Sequence, residues 1–239
     1  MSEIADRLKS IRERIQVAAM ASGRDPSDVA VVAITKDVGV EMIREAVLTG
    51  ISLVGENRVQ EARQKYAILG THVNGREIAW HLVGHLQTNK VRHALDVFSL
   101  IHSLDSWRLA CELERAAERK GRTVECLLEV NVSGKASRFG VEPAGALELA
   151  KQVSTLDRVK LAGVMAIAPV VEVKDEARPY FRAAREVFRR IRDEGLFRPG
   201  EAHLSMGMTQ DFEVAVEEGA TMVRIGTGIF GPRQRGVAL

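Results

Sequence analysis

Lys36 stands at the end of an apolar, β-branched run, Val31-Val32-Ala33-Ile34-Thr35. Desolvation at the end of a buried strand lowers a lysine pKa, and the neutral amine can then attack a carbonyl and form a Schiff base. A lysine that buries its stem and keeps its ammonium in water is the structural alternative. A second constellation lies near the far end of the chain, in Ser205-Met206-Gly207-Met208 and Arg224-Ile225-Gly226-Thr227-Gly228. Small residues let backbone N–H groups approach phosphate oxygens, and the hydroxyls of Ser205 and Thr227 can donate as well. Glycines that only make tight turns are the alternative here. Arg224 is the odd residue among Met222, Val223 and Ile225. A guanidinium stays charged at neutral pH, so its burial demands an acceptor. A structural pair with an acid such as Glu56 or Glu129 would also meet that demand.

These residues can meet only if the elements that carry them converge. Residues 3–22 put Ile4, Leu8, Ile11, Ile15 and Ala18 on one helical face, closed by Gly23. Strand patterns follow at 29–34, 51–54, 77–83, 97–102, 123–130, 159–167, 202–205 and 221–225. Helical patterns separate them at 40–48, 57–69, 87–94, 105–119, 143–153, 176–194 and 210–218. Apolar strands alternating with amphipathic helices imply a parallel sheet covered by helices. Eight such units match an α/β fold of the TIM-barrel type, a (β/α)8 barrel, which typically needs ~250 residues. A doubly wound open sheet is the competing architecture. No linker or composition shift interrupts the chain, so residues 1–239 are expected to form one barrel domain with an extra N-terminal helix.

In such a barrel the chemistry sits at the C-terminal ends of the strands. Those ends carry Lys36, Glu56 and Asn57, His81 and His85, His102 and Ser103, Glu129 and Asn131, Met165, Ser205 to Gly207, and Arg224 to Gly228. The loops after strands seven and eight are the recurrent phosphate site of the fold. A lysine amine, a phosphate cradle and a buried arginine at one mouth suit a phosphorylated aldehyde, with pyridoxal phosphate the natural candidate. A cofactor-free phosphosugar aldolase using a Schiff base is the chemical alternative.

Several function classes fall away. Lys plus Arg is 34 against 32 for Asp plus Glu, so a net charge of +2 leaves no footprint for nucleic acid. Hydrophobic residues at 46 % and charged residues at 28 % describe a globular chain. Cys111 and Cys126 form no C-x-x-C and have no nearby histidine partners, against a zinc site or a disulfide scaffold. The charged start lacks the apolar core of a signal peptide, and the uncharged run from Leu161 to Val171 is too short to span a bilayer. No membrane partner and a cytosolic location are therefore expected. Gly226 to Gly231 spells G-x-G-x-x-G, but a dinucleotide fingerprint needs a following helix, and Pro232 breaks its start. Ser133-Gly134-Lys135 lacks the earlier glycine of a P-loop.

Five segments together resemble a known family. They are Ala33-Ile34-Thr35-Lys36, Gly55-Glu56-Asn57-Arg58-Val59-Gln60-Glu61, the run W-H-L-V-G-H-L-Q-T-N-K from Trp80 to Lys90, Leu204-Ser205-Met206-Gly207-Met208, and V-R-I-G-T-G-I-F-G from Val223 to Gly231. The chain resembles, over nearly its whole length, the YggS/PROSC-type pyridoxal phosphate homeostasis proteins. The resemblance implies a barrel akin to the N-terminal domain of alanine racemase, with pyridoxal phosphate held on Lys36 as a Schiff base. Ser205, Gly226 and Thr227 would hold the phosphate, and Arg224 would face the pyridine nitrogen. Asn57 and His81 would line the pocket, and Met165 and Met206 complete the cofactor-binding set. The implied role is supply and balance of the cofactor, with delivery to pyridoxal phosphate-dependent apoenzymes. The chain departs from the family pattern at Val38 and Arg138, where lysines are more usual, and at Arg58, which replaces a common tyrosine.

The same residues favour a carrier over an enzyme. A protonated ring nitrogen makes the cofactor an electron sink, and a charged Arg224 facing it disfavours that proton. Racemases of this fold add a second acid–base group from a further β-domain, which is not expected here because the chain ends soon after strand eight. A weak pyridoxal phosphate-dependent amino-acid racemase is the alternative reading.

Overall fold

The computed structural model describes residues 2–200 and 202–232; Met1, Glu201 and residues 233–239 of the expected single unit lie outside the described residues. Eight parallel strands close into a barrel in sequential order. We number them β1 (Ala30–Ile34), β2 (Leu53–Glu56), β3 (Ala79–Leu82) and β4 (Leu100–Leu104). They continue as β5 (Val124–Val130), β6 (Val159–Ala166), β7 (His203–Ser205) and β8 (Met222–Ile225). Strand β1 pairs with both β2 and β8, which closes the ring and excludes the open sheet.

Side chains alternate across each strand, so one set fills the lumen and the other meets the helices. Val32, Leu100, Leu127, Ala162, Met165 and Met222 form the lumen cluster. The larger cluster outside the wall joins strand residues such as Ala33, Val54 and Val223 to the helices. The N-terminal helix Glu3–Ala21 buries the expected Ile4, Leu8, Ile11, Ile15 and Ala18. It packs on the helices Phe212–Glu217 and Thr227–Phe230, and so buttresses the turns after β7 and β8.

The strand boundaries depart from the sequence expectation where polar residues are buried. Strand β2 runs to Glu56, not Val54, and β4 covers 100–104 rather than 97–102. Gly55 and Glu56 read as a strand end, yet Glu56 is fully buried against Lys65 of the helix Val59–Leu69. His102 and Ser103 read as a polar boundary, yet both are fully buried. A two-residue hairpin, His72–Val73 with Arg76–Glu77, and the short helix Thr227–Phe230 were not expected. At Gly163 (φ +147°) β6 passes so close to β7 that a Cβ would lie 1.9 Å from His203 O. Only glycine fits there.

Candidate functional site

A cavity of about 640 Å³ opens at the C-terminal end of the barrel, between the ends of β8, β1 and β2 and the loop after β6. Arg224, Gly226 and Thr227 line it with Ile34, Asn57 and the turn Met208 to Asp211. Four of the expected site residues therefore reach this cavity: Asn57, Arg224, Gly226 and Thr227.

The β7 turn is built to present its polar groups. Gly207 adopts φ +89°, and a Cβ there would lie 2.5 Å from the Ala215 Cβ. Asp211 Oδ1 accepts the Met208 N–H at 2.6 Å, and Gly207 O accepts the Arg224 N–H at 3.0 Å. The turn thus sets Thr209 against the start of the helix Thr227–Phe230. Thr209 Oγ1 accepts the Gly228 N–H at 3.3 Å and lies 3.5 Å from Thr227 Oγ1. First-turn N–H groups of a helix have no intrahelical acceptor. Two hydroxyls and these N–H groups form a donor cradle for an anion.

Arg224 is almost fully buried. Its NH1 donates to Ser205 O at 2.9 Å and Ser205 Oγ at 2.7 Å, and its NH2 donates to Ala166 O at 2.9 Å. A guanidinium has five N–H donors, so two are uncommitted beside the cavity. Among the described residues no carboxylate lies within ion-pair distance of Arg224. Glu56 is taken by Lys65 at 2.7 Å, which removes one structural partner considered from sequence. Burial brings the Arg224 pKa down to about 10, while the more distant charges of Glu129 and Asp211 pull it back up.

Behind Arg224 a hydrogen-bonded chain crosses the lumen. His102 Nδ1 lies 3.1 Å from Ser205 Oγ, and His102 Nε2 lies 3.1 Å from His81 Nδ1. Arg224 can only donate, so Ser205 Oγ accepts from it. His102 bridges that hydroxyl to His81 through its two ring nitrogens. Burial pushes the His81 pKa down to about 3 and that of His102 well below its usual value, so both rings are neutral at neutral pH. Glu129 is driven the other way, to about 7, mainly by burial and secondly by Asp105.

The remaining expected residues sit elsewhere. Ser205 was placed on the phosphate, but its hydroxyl is fully buried and engaged between Arg224 and His102; Thr209 holds the corresponding place in the cradle. His81 belongs to the buried chain, not to the cavity wall. Met165 fills the lumen, and Met206 is buried in the core outside the wall. Lys36 does not line the cavity; its half-buried Nζ lies 3.9 Å from Asp37 Oδ2. It lies in the turn two residues beyond Ile34, the last residue of β1, which does line the cavity. Sequence reasoning missed Thr209, one residue beyond the segment singled out, and His102 as the link between Ser205 and His81. It also missed Arg14, which lines the cavity from the N-terminal helix and stacks over Phe212 at 4.5 Å. A lone arginine on an amphipathic helix carries no signal for such a place.

A parallel barrel with its cradle on the β7 and β8 turns and an arginine beneath it defines the class of the alanine racemase N-terminal domain, whose family model matches residues 7–234. The alanine racemase of Clostridium difficile 630 has the same fold, with TM-score 0.71 at 13 % identity over 97 % of this chain and 58 % of its own. More similar is a pyridoxal phosphate homeostasis protein of Aquifex aeolicus, 42 % identical over 229 residues, 96 % of this chain and 98 % of the relative. PipY of Synechococcus elongatus, solved with PLP bound, has TM-score 0.81 and 37 % identity, covering 96 % of this chain and 100 % of its own. The chain belongs to the family of pyridoxal phosphate homeostasis proteins. Among the described residues no helix is long and apolar enough to cross a membrane.

Proposed function

We propose that this protein binds pyridoxal 5′-phosphate at the cavity, holds it as a Schiff base on Lys36 and hands it to apoenzymes. The observation that carries the reading is Arg224: a buried guanidinium with two spare donors at a cavity and, among the described residues, no carboxylate within ion-pair distance. A pyridine nitrogen is an acceptor that suits it. The cradle supports the same ligand, since Thr209, Gly226 and Thr227 line the cavity together and can offer hydroxyl and backbone donors to a phosphate. PipY, a relative of similar length, binds PLP, and the curated relatives are named for its homeostasis.

When bound, pyridoxal phosphate supplies an aldehyde carbon. Lys36 would supply the amine that holds the cofactor through that carbon. Arg224 orients the ring and, being charged, keeps a proton off the nitrogen. Asn57 faces the cavity beside it. Val170, in the loop after β6, lines the cavity and is 79 % exposed, so that wall meets solvent. Openness and an unprotonated ring both favour release over turnover, so the protein acts as a carrier in the cytosol rather than as a catalyst.

Borohydride reduction of the loaded protein followed by peptide mass mapping tests the attachment. The expected result is one pyridoxyl group on Lys36. Stoichiometric labelling of another lysine would overturn it. Amino-acid racemisation by the loaded protein that vanishes in Lys36→Ala would replace the carrier reading by the racemase reading.

A further inference from the structure

We infer that Glu61 and Lys65 are positioning residues for Lys36, and that they act through the two peptide groups on either side of it. Lys65 is fully buried on the helix Val59–Leu69. Its ammonium has three N–H donors, and three acceptors meet them: Thr35 O at 2.5 Å, Glu56 Oε1 at 2.7 Å and Glu61 Oε1 at 2.7 Å. Glu61 Oε1 also accepts the Asp37 N–H at 2.7 Å. Thr35 Oγ1 donates to Glu56 Oε1 at 2.6 Å, which ties the end of β1 to the end of β2. The carbonyl just before Lys36 and the N–H just after it are thus gripped by one helix turn.

The grip matters because of the backbone it restrains. Asp37 is left-handed, at φ +60°, and among the described residues only Asn74 shares that property outside glycine. Such a conformation in a residue with a Cβ persists where the surroundings over-determine it. Here the bond from Asp37 N to Glu61 does so. Lys36 itself has a long flexible stem and, among the described residues, only Asp37 Oδ2 at 3.9 Å from its ammonium. The direction in which that stem leaves is therefore set by its backbone. A buried ion pair is weak grounds for stability in its own right. This one places two of its contacts on the peptides that bracket the lysine.

The inference rests on Lys36 as the attachment point. The test compares wild type with Glu61→Ala, Glu61→Gln and Lys65→Met on two readouts. One is the rate at which pyridoxal phosphate becomes borohydride-trapped on Lys36. The other is the affinity for pyridoxamine phosphate, which has no aldehyde and reads only the cradle and Arg224. Glu61→Ala is expected to slow trapping about tenfold or more, the scale of a misplaced reacting group, with pyridoxamine phosphate affinity within about twofold of wild type. Glu61→Gln still offers an oxygen to Asp37 N and should recover much of the rate. Trapping at the wild-type rate in Glu61→Ala overturns the inference, as does a parallel loss of both readouts in the folded variant. If Lys65→Met does not fold, Glu61→Ala decides alone, because Glu61 is partly exposed. Wild-type label on a different lysine overturns the attachment reading and this inference together; label on Lys36 with an indifferent Glu61→Ala overturns the inference only.

Discussion

Two buried polar clusters flank β1, and they solve burial in opposite ways. Outside the wall, between β1, β2 and the helix Val59–Leu69, Lys65 and Glu56 form an ion pair at 2.7 Å, with burial raising the Glu56 pKa against the pull of Lys65. Inside the lumen, next to β8, one cation is followed by a neutral chain of Ser205, His102 and His81. The outer cluster closes around its cation: every Lys65 donor has a protein acceptor, although the second Glu56 oxygen, Oε2, has no partner. The inner one leaves two Arg224 donors facing the cavity. A cation whose donors are all taken can only hold structure in place, whereas one with free donors has affinity to offer a ligand. The first grips the backbone on either side of Lys36, and the second reaches the cavity at Arg224.

The contrast breaks first, and most severely, at Lys65. Lys65→Met leaves the Glu56 carboxylate buried and unpaired, which should cost about 3–5 kcal/mol in urea unfolding. Adding Glu56→Gln to that variant should return part of the loss. A cost for Lys65→Met below about 1 kcal/mol would show that the outer cluster is not the closed unit described here.

Glu129 sharpens the comparison from the lumen side, because nothing closes around it: its Oε2 has no partner. Its folded pKa, raised from 4.5 to about 7, means that the protonated form is the one the fold prefers. The stability tied to it is complete below about pH 4.5 and declines as pH rises towards 7. Glu129→Gln should therefore match wild type near pH 4.5 and exceed it at pH 8, by up to about 3 kcal/mol. Equal stabilities at pH 8 would contradict this.

The neutral chain should respond more gently to mutation. His102→Phe leaves the Ser205 hydroxyl and His81 Nδ1 without each other's relay, at a cost of about 1–3 kcal/mol. Its pH signature has the opposite sign to that of Glu129. The His81 pKa is depressed from 6.5 to about 3, so its contribution is present above pH 6.5 and is lost as pH falls towards 3. Acid titration of stability in wild type and His81→Phe measures that contribution; identical acid limbs would refute it.

The smallest effect expected is at the cradle. Thr209→Val should weaken pyridoxal phosphate binding by about 1–1.5 kcal/mol, the scale of one hydrogen bond, and leave unphosphorylated pyridoxal nearly unchanged. Equal losses for the two ligands would assign Thr209 to the turn alone.

Much of this arrangement is legible along the chain. Alternating apolar strands and amphipathic helices specify a (β/α)8 barrel, since a strand buried on both faces must be apolar throughout and each crossover helix needs one apolar stripe. The turns after β7 and β8 read as a candidate phosphate cradle from their glycines and hydroxyls, and Arg224 stands out from its apolar neighbours. What the chain conceals are the partnerships that need two distant segments at once. That Ser205 faces the lumen while Thr209 faces the cradle depends on the Gly207 turn, whose geometry is set by contact with Ala215. That Glu56 belongs to a strand, and pairs with Lys65 rather than Arg224, follows from which side of the barrel wall it faces. Local periodicity encodes which face of an element is buried; closing the ring decides what that face meets, because a polar side chain takes whichever partner the neighbouring strand or helix brings within hydrogen-bond reach.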